Sequence, residues 1–184
     1  MRNMRCLMLA AILAAPLTVL AAGFEVGSPD IPANGAVPVK QVFNGFGCTG
    51  QNISPELAWK NAPTGTKSFA VTMYDPDAPT GSGWWHWVVF NLPPSTTRLA
   101  ANAGSAAANL APPGSVQSMT DFGTTGYGGP CPPQGDKPHR YIFTVFALKL
   151  DKLPVDAKAS GAMVCFYLNQ NALGKASFTA TFGR

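Results

Sequence analysis

Tyr74-Asp75-Pro76-Asp77-Ala78-Pro79 and, a few residues on, Trp84-Trp85-His86-Trp87-Val88-Val89-Phe90-Asn91 join a proline-stiffened acidic turn to an aromatic, β-branched run. Such a run suits a pleated, buried strand. Side chains alternate along a strand, so the pattern puts His86 on one face with Val88 and Phe90. That face points toward a core, which has His86 looking inward from a rim. Each proline fixes φ and removes a backbone donor, keeping Asp75 and Asp77 in a turn beside the same rim. Two carboxylates and an imidazole converging on an apolar edge predict a small pocket for a polar ligand.

Outward from this point the chain reads as mainly β. Lys67 to Tyr74 alternates, with Phe69, Val71 and Met73 on one face, and forms the strand before the turn; Leu92-Pro93-Pro94 stops the strand after it. Ile142 to Leu148 is β-branched and aromatic, as a buried central strand should be. Ser177 to Phe182 alternates as a closing strand. Phe24 to Asn44 reads as edge strands and turns, with Val39 to Phe43 a strand by alternation. Helical signals are few. Ser54-Pro55-Glu56-Leu57-Ala58-Trp59 predicts a single turn with Ser54 as cap and Pro55 in first position. Ser160 to Lys175 predicts one helix, capped by Ser160, with Met163, Phe166, Tyr167 and Gln170 at helical spacing and Gly174 as its stop. Arg98 to Ser118 predicts a surface connection with one short strand.

The totals agree. Charged residues are only 12% of the 184, beside 19 Gly and 17 Pro, which favours a loop-rich β fold over a helical bundle or a disordered chain. The length suits one domain with a sizeable core, and no repeat or linker interrupts it.

Met1-Arg2-Asn3-Met4-Arg5 is a basic segment and Cys6 to Leu20 an apolar one, followed by Val19-Leu20-Ala21 as a small-residue cleavage pattern. This predicts a secretory signal over residues 1–21, cut after Ala21 or Ala22, and a mature domain over 22–184 in the periplasm or outside the cell. The run is short for a membrane span, so no integral membrane protein is expected. Losing Arg2 and Arg5 lowers the formal charge from +4 to +2. With no Lys/Arg cluster, that balance excludes a nucleic-acid footprint.

Cys48, Cys131 and Cys165 remain, and an oxidising compartment predicts one pair among three pairings. Cys48 and Cys131 sit in glycine- and proline-rich loops, whereas Cys165 sits in Ala162-Met163-Val164-Cys165-Phe166, where a free cysteine acts as a small buried apolar side chain. The expected bond is Cys48–Cys131. Gly45 to Gly50 spells G-x-G-x-x-G, but no helix opens after it, so a glycine-rich turn is the better reading than a dinucleotide site. No H-x-x-x-H or C-x-x-C is present and no metal or other cofactor is expected. Ser82, His86 and Asp75 would form a hydrolytic triad only if folding fixed their geometry, and the nucleophile-elbow spacing is absent.

Asp75-Pro76-Asp77-Ala78-Pro79, then Gly83-Trp84-Trp85-His86-Trp87, then Gly128-Gly129-Pro130-Cys131-Pro132-Pro133 and His139-Arg140-Tyr141, in this order, resemble the phosphatidylethanolamine-binding protein family. They look most like its bacterial Raf-kinase-inhibitor-like branch, in a secreted, periplasmic version. The resemblance runs from Phe24 to Arg184. It implies a large antiparallel sheet packed on a smaller one, with few short helices. It also implies a pocket for phosphoryl-type anions such as phosphoethanolamine or a phospholipid headgroup, lined here by Asp75, Asp77, His86, Gly129, Pro130, His139 and Tyr141. A homodimer, and inhibition of a partner protease or kinase, are further implications. The long C-terminal helix of eukaryotic members is not evident, and Cys131 falls inside the loop bordering the site. In the expected mechanism Asp75 accepts from His86 and favours the imidazolium. The cationic ring, the Tyr141 hydroxyl and loop N–H groups such as that of Gly129 then hold a phosphate, while Asp77 organises the loop through Arg140. The reading is of a binding protein and not an enzyme; its rival is a small hydrolase using His86 with Asp75 or Asp77 as an acid/base pair.

Overall fold

The computed structural model describes residues 23–184; the expected signal segment lies outside them. Its frame is a five-stranded antiparallel sheet built on the sequence's most apolar runs. β5 (Ser68–Asp75) lies at its centre, between β9 (His139–Leu148) and β6 (Trp84–Leu92), with β10 (Ala172–Phe182) and β8 (Val116–Gln117) at the edges. A three-stranded sheet of β1 (Glu25–Gly27), β4 (Leu57–Lys60) and β7 (Arg98–Leu99) packs on one face. β2 (Asn44–Gly45) and β3 (Cys48–Thr49) form a separate hairpin, so the Gly45–Gly50 stretch is a turn, as expected.

The large sheet is covered on both faces, so Ala70 and Thr72, on the side of β5 away from Phe69, Val71 and Met73, are buried as well. Toward the small sheet, Phe69, Val71 and Met73 pack with Leu57, Trp59, Leu99, Trp87, Phe143 and Phe178. On the opposite face Ala70, Val88, Phe90, Phe146 and Leu148 meet Val164 and Leu168 of α1 (Gly161–Asn171). Each such large side chain contributes about 1.5–3 kcal/mol by leaving water, against the entropy of ordering the chain.

Two departures from simple alternation matter for the site. Met73 pairs with Trp87 while Tyr74 pairs with Trp85, so two residues of β6 oppose one of β5 and His86 is the extra one, a β-bulge. His86 therefore turns to the face of Trp87 and lies against Tyr141, whereas Val88 and Phe90 go to the helix side. The expected sharing of one face by His86, Val88 and Phe90 is corrected by that inserted residue. A second irregularity follows where Val71 pairs with Val89 and Phe69 with Leu92. Asn91 takes φ 58° there and its Oδ1 accepts from the Leu153 N–H at 2.9 Å.

Four other expectations are corrected. Val39–Gln41 is a 3₁₀ turn, not a strand. The Ser54–Trp59 helical turn does not form: Ser54 Oγ accepts from the Gly104 N–H at 2.8 Å, and Leu57–Lys60 is β4, paired with β1 and β7. The Arg98–Ser118 connection carries two short strands. In α1 the Ser160 cap is present, its side chain accepting from the Met163 N–H, but the helix ends at Asn171 and Gly174 belongs to a bulge in β10. Its buried face is Gly161, Val164 and Leu168, while Met163 and Phe166 are exposed. Gly161 is required there because a Cβ would strike the Trp85 ring.

Candidate functional site

Antiparallel pairing brings the end of β5 and the starts of β6 and β9 to one edge of the large sheet. Asp75, His86, His139 and Tyr141 arrive there together, all buried, and line a cleft of about 220 Å³. Its walls are mostly apolar: Phe46 from the β2–β3 hairpin, Trp84, Phe122, and Pro132 and Pro133 from the glycine-proline loop. Phe122 packs on Phe43 with ring centres 4.6 Å apart and stacks on Phe46 at 5.9 Å. The sequence reading missed Phe46, Trp84 and Phe122. An aromatic at a hairpin tip between two glycines, as in Gly45-Phe46-Gly47, is the one local signal that pointed to a rim.

Asp75 is held by three donors. Its Oδ1 accepts from the Asp77 N–H at 2.8 Å and the Ala78 N–H at 3.1 Å; its Oδ2 accepts from His139 Nδ1 at 2.8 Å. The nearest nitrogen of His86, Nε2, lies 4.0 Å from that oxygen, beyond hydrogen-bond reach. Asp75 therefore pairs with His139 and not, as expected, with His86.

His86 is tied to backbone instead. A carbonyl can only accept, so the 2.7 Å contact of His86 Nδ1 with the Gly128 carbonyl places the ring proton on Nδ1. The Gly128 N–H returns a bond to the His86 carbonyl at 2.8 Å. Burial lowers the His86 pKa from 6.5 to about 4, opposed by the Gly128 hydrogen bond and the Asp75 charge. Burial thus works against the imidazolium that the sequence suggested.

Gly129 and Pro130 stand behind the cleft wall. The Gly129 N–H, expected to face a ligand, donates to Asn52 Oδ1 at 2.7 Å, and the Pro130 carbonyl accepts from the Phe43 N–H at 3.1 Å. A Cβ on Gly128 would meet the Phe122 ring, and one on Gly129 the Gln41 carbonyl, so the loop can close on the sheet only with glycine at both places. Cys131 does line the cleft and is joined to Cys48, the pairing the sequence suggested. Cys165 is free but only half-buried, on α1 and not in the core.

Asp77 lies outside the cleft, on the outer groove formed with Arg140 and Lys137. The Arg140 guanidinium reaches both its oxygens, at 2.9 and 2.7 Å, the loop-organising pair the sequence suggested. That hydrogen bond holds the Asp77 carboxyl down at about 2. Of the groups the sequence offered for hydrolysis, Asp77 is engaged by Arg140, Asp75 by His139, and the Ser82 carbonyl accepts from the Tyr74 hydroxyl on an exposed turn outside the cleft lining.

The buried neutral imidazole carries a stability prediction. The unfolded chain protonates His86 near pH 6.5 and the fold only near 4, so the unfolded state binds more protons between these values. His86's contribution is therefore complete above about pH 6.5 and falls as the pH drops toward 4, by up to about 3 kcal/mol. Asp77 acts in a lower window, its contribution persisting until the pH falls through about 2. Denaturant midpoints at pH 7 and pH 4 should show the loss, and His86→Asn should flatten it; an unchanged slope would place the acid sensitivity elsewhere.

A profile described as phosphatidylethanolamine-binding protein matches residues 27–183. The UPF0098 protein YbcL of Escherichia coli (strain K12) is 52% identical over 162 residues, covering 88% of each chain. The UPF0098 protein YbhB of the same organism is 55% identical over 155 residues, 84% of this chain and 97% of that one. The crystal structure of E. coli YbcL, described as a member of the mammalian PEBP family, superposes with a TM-score of 0.86 over 89% of this chain and 99% of its own. The homologue CT736 from Chlamydia trachomatis, at 27% identity, superposes at 0.72 over 88% and 97%. With the two sheets, the cleft at their edge and these relatives in agreement, the chain belongs to the phosphatidylethanolamine-binding protein family.

Proposed function

We propose that the cleft binds a small phosphoryl-type anion of the phosphoethanolamine kind, and that the protein works by holding this ligand and not by turning it over. One observation carries the reading. The Tyr141 hydroxyl and the Trp84 indole nitrogen are both buried and, among the described residues, both without a partner, and both residues line the cleft. An unsatisfied buried donor costs about 1–3 kcal/mol, and two at one concavity suit a ligand rich in acceptor oxygens. The family's description as phosphatidylethanolamine-binding points to the same chemistry. The test is calorimetric titration with O-phosphoethanolamine. His86→Ala is expected to lose at least about tenfold in affinity while circular dichroism shows it folded; unchanged affinity overturns the role of His86. Release of inorganic phosphate from the bound ester, abolished by the same variant, would instead support the hydrolase.

We infer an extracytoplasmic home from the Cys48–Cys131 disulfide, because such bonds persist in oxidising compartments. Among the described residues no helix is long and apolar enough to cross a membrane. Native mass spectrometry of protein purified from the cell envelope tests this: the expected mass lacks residues 1–21 or 1–22, and the same spectrum reads the homodimer expected from the family resemblance. An intact N-terminus overturns the secretory reading.

A further inference from the structure

One buried ring stands between two carboxylates. His139 Nδ1 lies 2.8 Å from Asp75 Oδ2, and its Nε2 lies 3.5 Å from Asp136 Oδ2. An ionised carboxylate only accepts, so each contact is attractive only with a proton on the facing nitrogen; a neutral imidazole carries one such proton and an imidazolium two. Asp75 is 3% exposed, whereas the Asp136 side chain is 42% exposed. The single proton of a neutral ring therefore goes to Asp75, where water cannot take its place. Nε2 then sets a lone pair against Asp136, and that carboxylate, open to solvent, gains by turning away. A second proton reverses the sign of the contact. The other groups around the ring leave this exchange to His139. His86, from β6, is held to about 4 by burial, and the chain has no third histidine. Asp77 and Arg140 are paired with each other. Burial pushes the Tyr141 hydroxyl well above its usual range, and Lys137 shares the outer groove with Asp136.

Asp136 belongs to the loop that closes one side of the cleft. Pro132 and Pro133 line the cleft, and residues 133–138 are all exposed. Two bonds tie this loop to the end of the chain, the Gly135 N–H to the Arg184 carbonyl at 3.1 Å and Arg184 Nε to the Pro132 carbonyl at 2.7 Å. Its side-chain tie to the large sheet is Asp136 to His139. We propose that Asp136 is a positioning residue of the cleft, acting through the His139 ring. It latches the 132–138 loop to β9 when the ring carries two protons and lets it go when the ring carries one. The cleft then grips its ligand more tightly at pH 5.5 than at pH 8. Imidazoles change charge between about pH 5 and 8, a range over which carboxylates stay largely ionised. The latch itself needs no ligand; its effect on binding rests on the phosphoryl reading of the cleft.

Two readouts on the purified protein at pH 5.5 and pH 8 test the latch. The first is solvent exchange of the Gly135 amide by NMR, taken as protection relative to the intrinsic rate at each pH. Protection should be about fivefold greater at pH 5.5, the upper end for an ion pair with one exposed partner, since the other is a buried ring. Asp136→Ala should remove the difference, and Asp136→Glu, which keeps a carboxylate, should restore it. The second readout is calorimetric titration with glycerophosphoethanolamine, a phosphodiester with no phosphate proton to lose in this range. Its affinity should change by a similar factor in the wild type and in Asp136→Glu, and stay level in Asp136→Ala. Equal protection at the two pH values in the wild type overturns the latch. So does a pH dependence that Asp136→Ala leaves intact, which would mean that the charge of the ring acts directly on the ligand or the fold. Protection that depends on pH and on Asp136, with no binding of the diester at either pH, overturns the phosphoryl reading and leaves the latch standing. Level protection with tight binding does the reverse.

Discussion

Replacing both half-cystines, Cys48→Ala with Cys131→Ala, should lower the unfolding free energy by about 4–5 kcal/mol. The bond spans 83 positions of sequence, and closing so long a loop in the unfolded chain removes a large entropy, on a chain-entropy account. The effect should reach the cleft as well. Cys48 is buried in the hairpin that carries Phe46, and Cys131, which lines the cleft, lies against that hairpin with its Sγ 3.5 Å from the Gly45 carbonyl, so the crosslink fastens the glycine-proline loop to it. The wall retains other ties: the Phe43 N–H to the Pro130 carbonyl, Arg184 Nε to the Pro132 carbonyl at 2.7 Å and Arg184 Nη2 to the Phe46 carbonyl at 3.0 Å. Binding of O-phosphoethanolamine should accordingly weaken and not vanish. Denaturant unfolding of the oxidised wild type against the double variant measures the first effect. A loss below about 1 kcal/mol would mean that the unfolded chain is already compact across this loop.

The strands that carry the site were legible from alternation in β5 and from continuous apolar, aromatic runs in β6 and β9, which burial of both faces leaves in the sequence. Residues at the ends of those strands, Asp75, His86, His139 and Tyr141, were legible for the same reason: polar groups at the edge of apolar runs stand out. What failed was anything set by partners distant in sequence. His86 changed face through a single inserted residue that alternation cannot register. Asp75 chose His139 over His86 because pairing of β5 with β9 brings Tyr74 opposite Ile142, a relation absent from either segment alone. Ser54 followed by Pro55 carries a genuine helix-start signal, yet its hydroxyl is taken by Gly104, 50 positions away, and the following residues pair as β4. Phe46 and Phe122 come from loops with no periodicity to read. In α1 the cap was legible but the buried face was not, since a glycine that fits against Trp85 carries no hydrophobic signal.

Asp75→Ala is expected to be the most damaging single change at the site, costing about 3–5 kcal/mol. The carboxylate, 3% exposed, is the acceptor for three N–H groups, two from the turn at Asp77 and Ala78 and one from the buried His139 ring. Truncation leaves all three unsatisfied, each worth about 1–3 kcal/mol where water cannot reach, with turn donors at the lower end because they are only partly buried. Asp75→Asn provides the control. Its carbonyl oxygen can still accept from both turn N–H groups, and its amide can donate to His139 once the ring moves its proton to the other nitrogen. The loss should then be much smaller. Thermal and denaturant unfolding of the two variants measures both losses. If Asn and Ala destabilise equally, hydrogen-bond acceptance at Oδ1 is not what holds the turn.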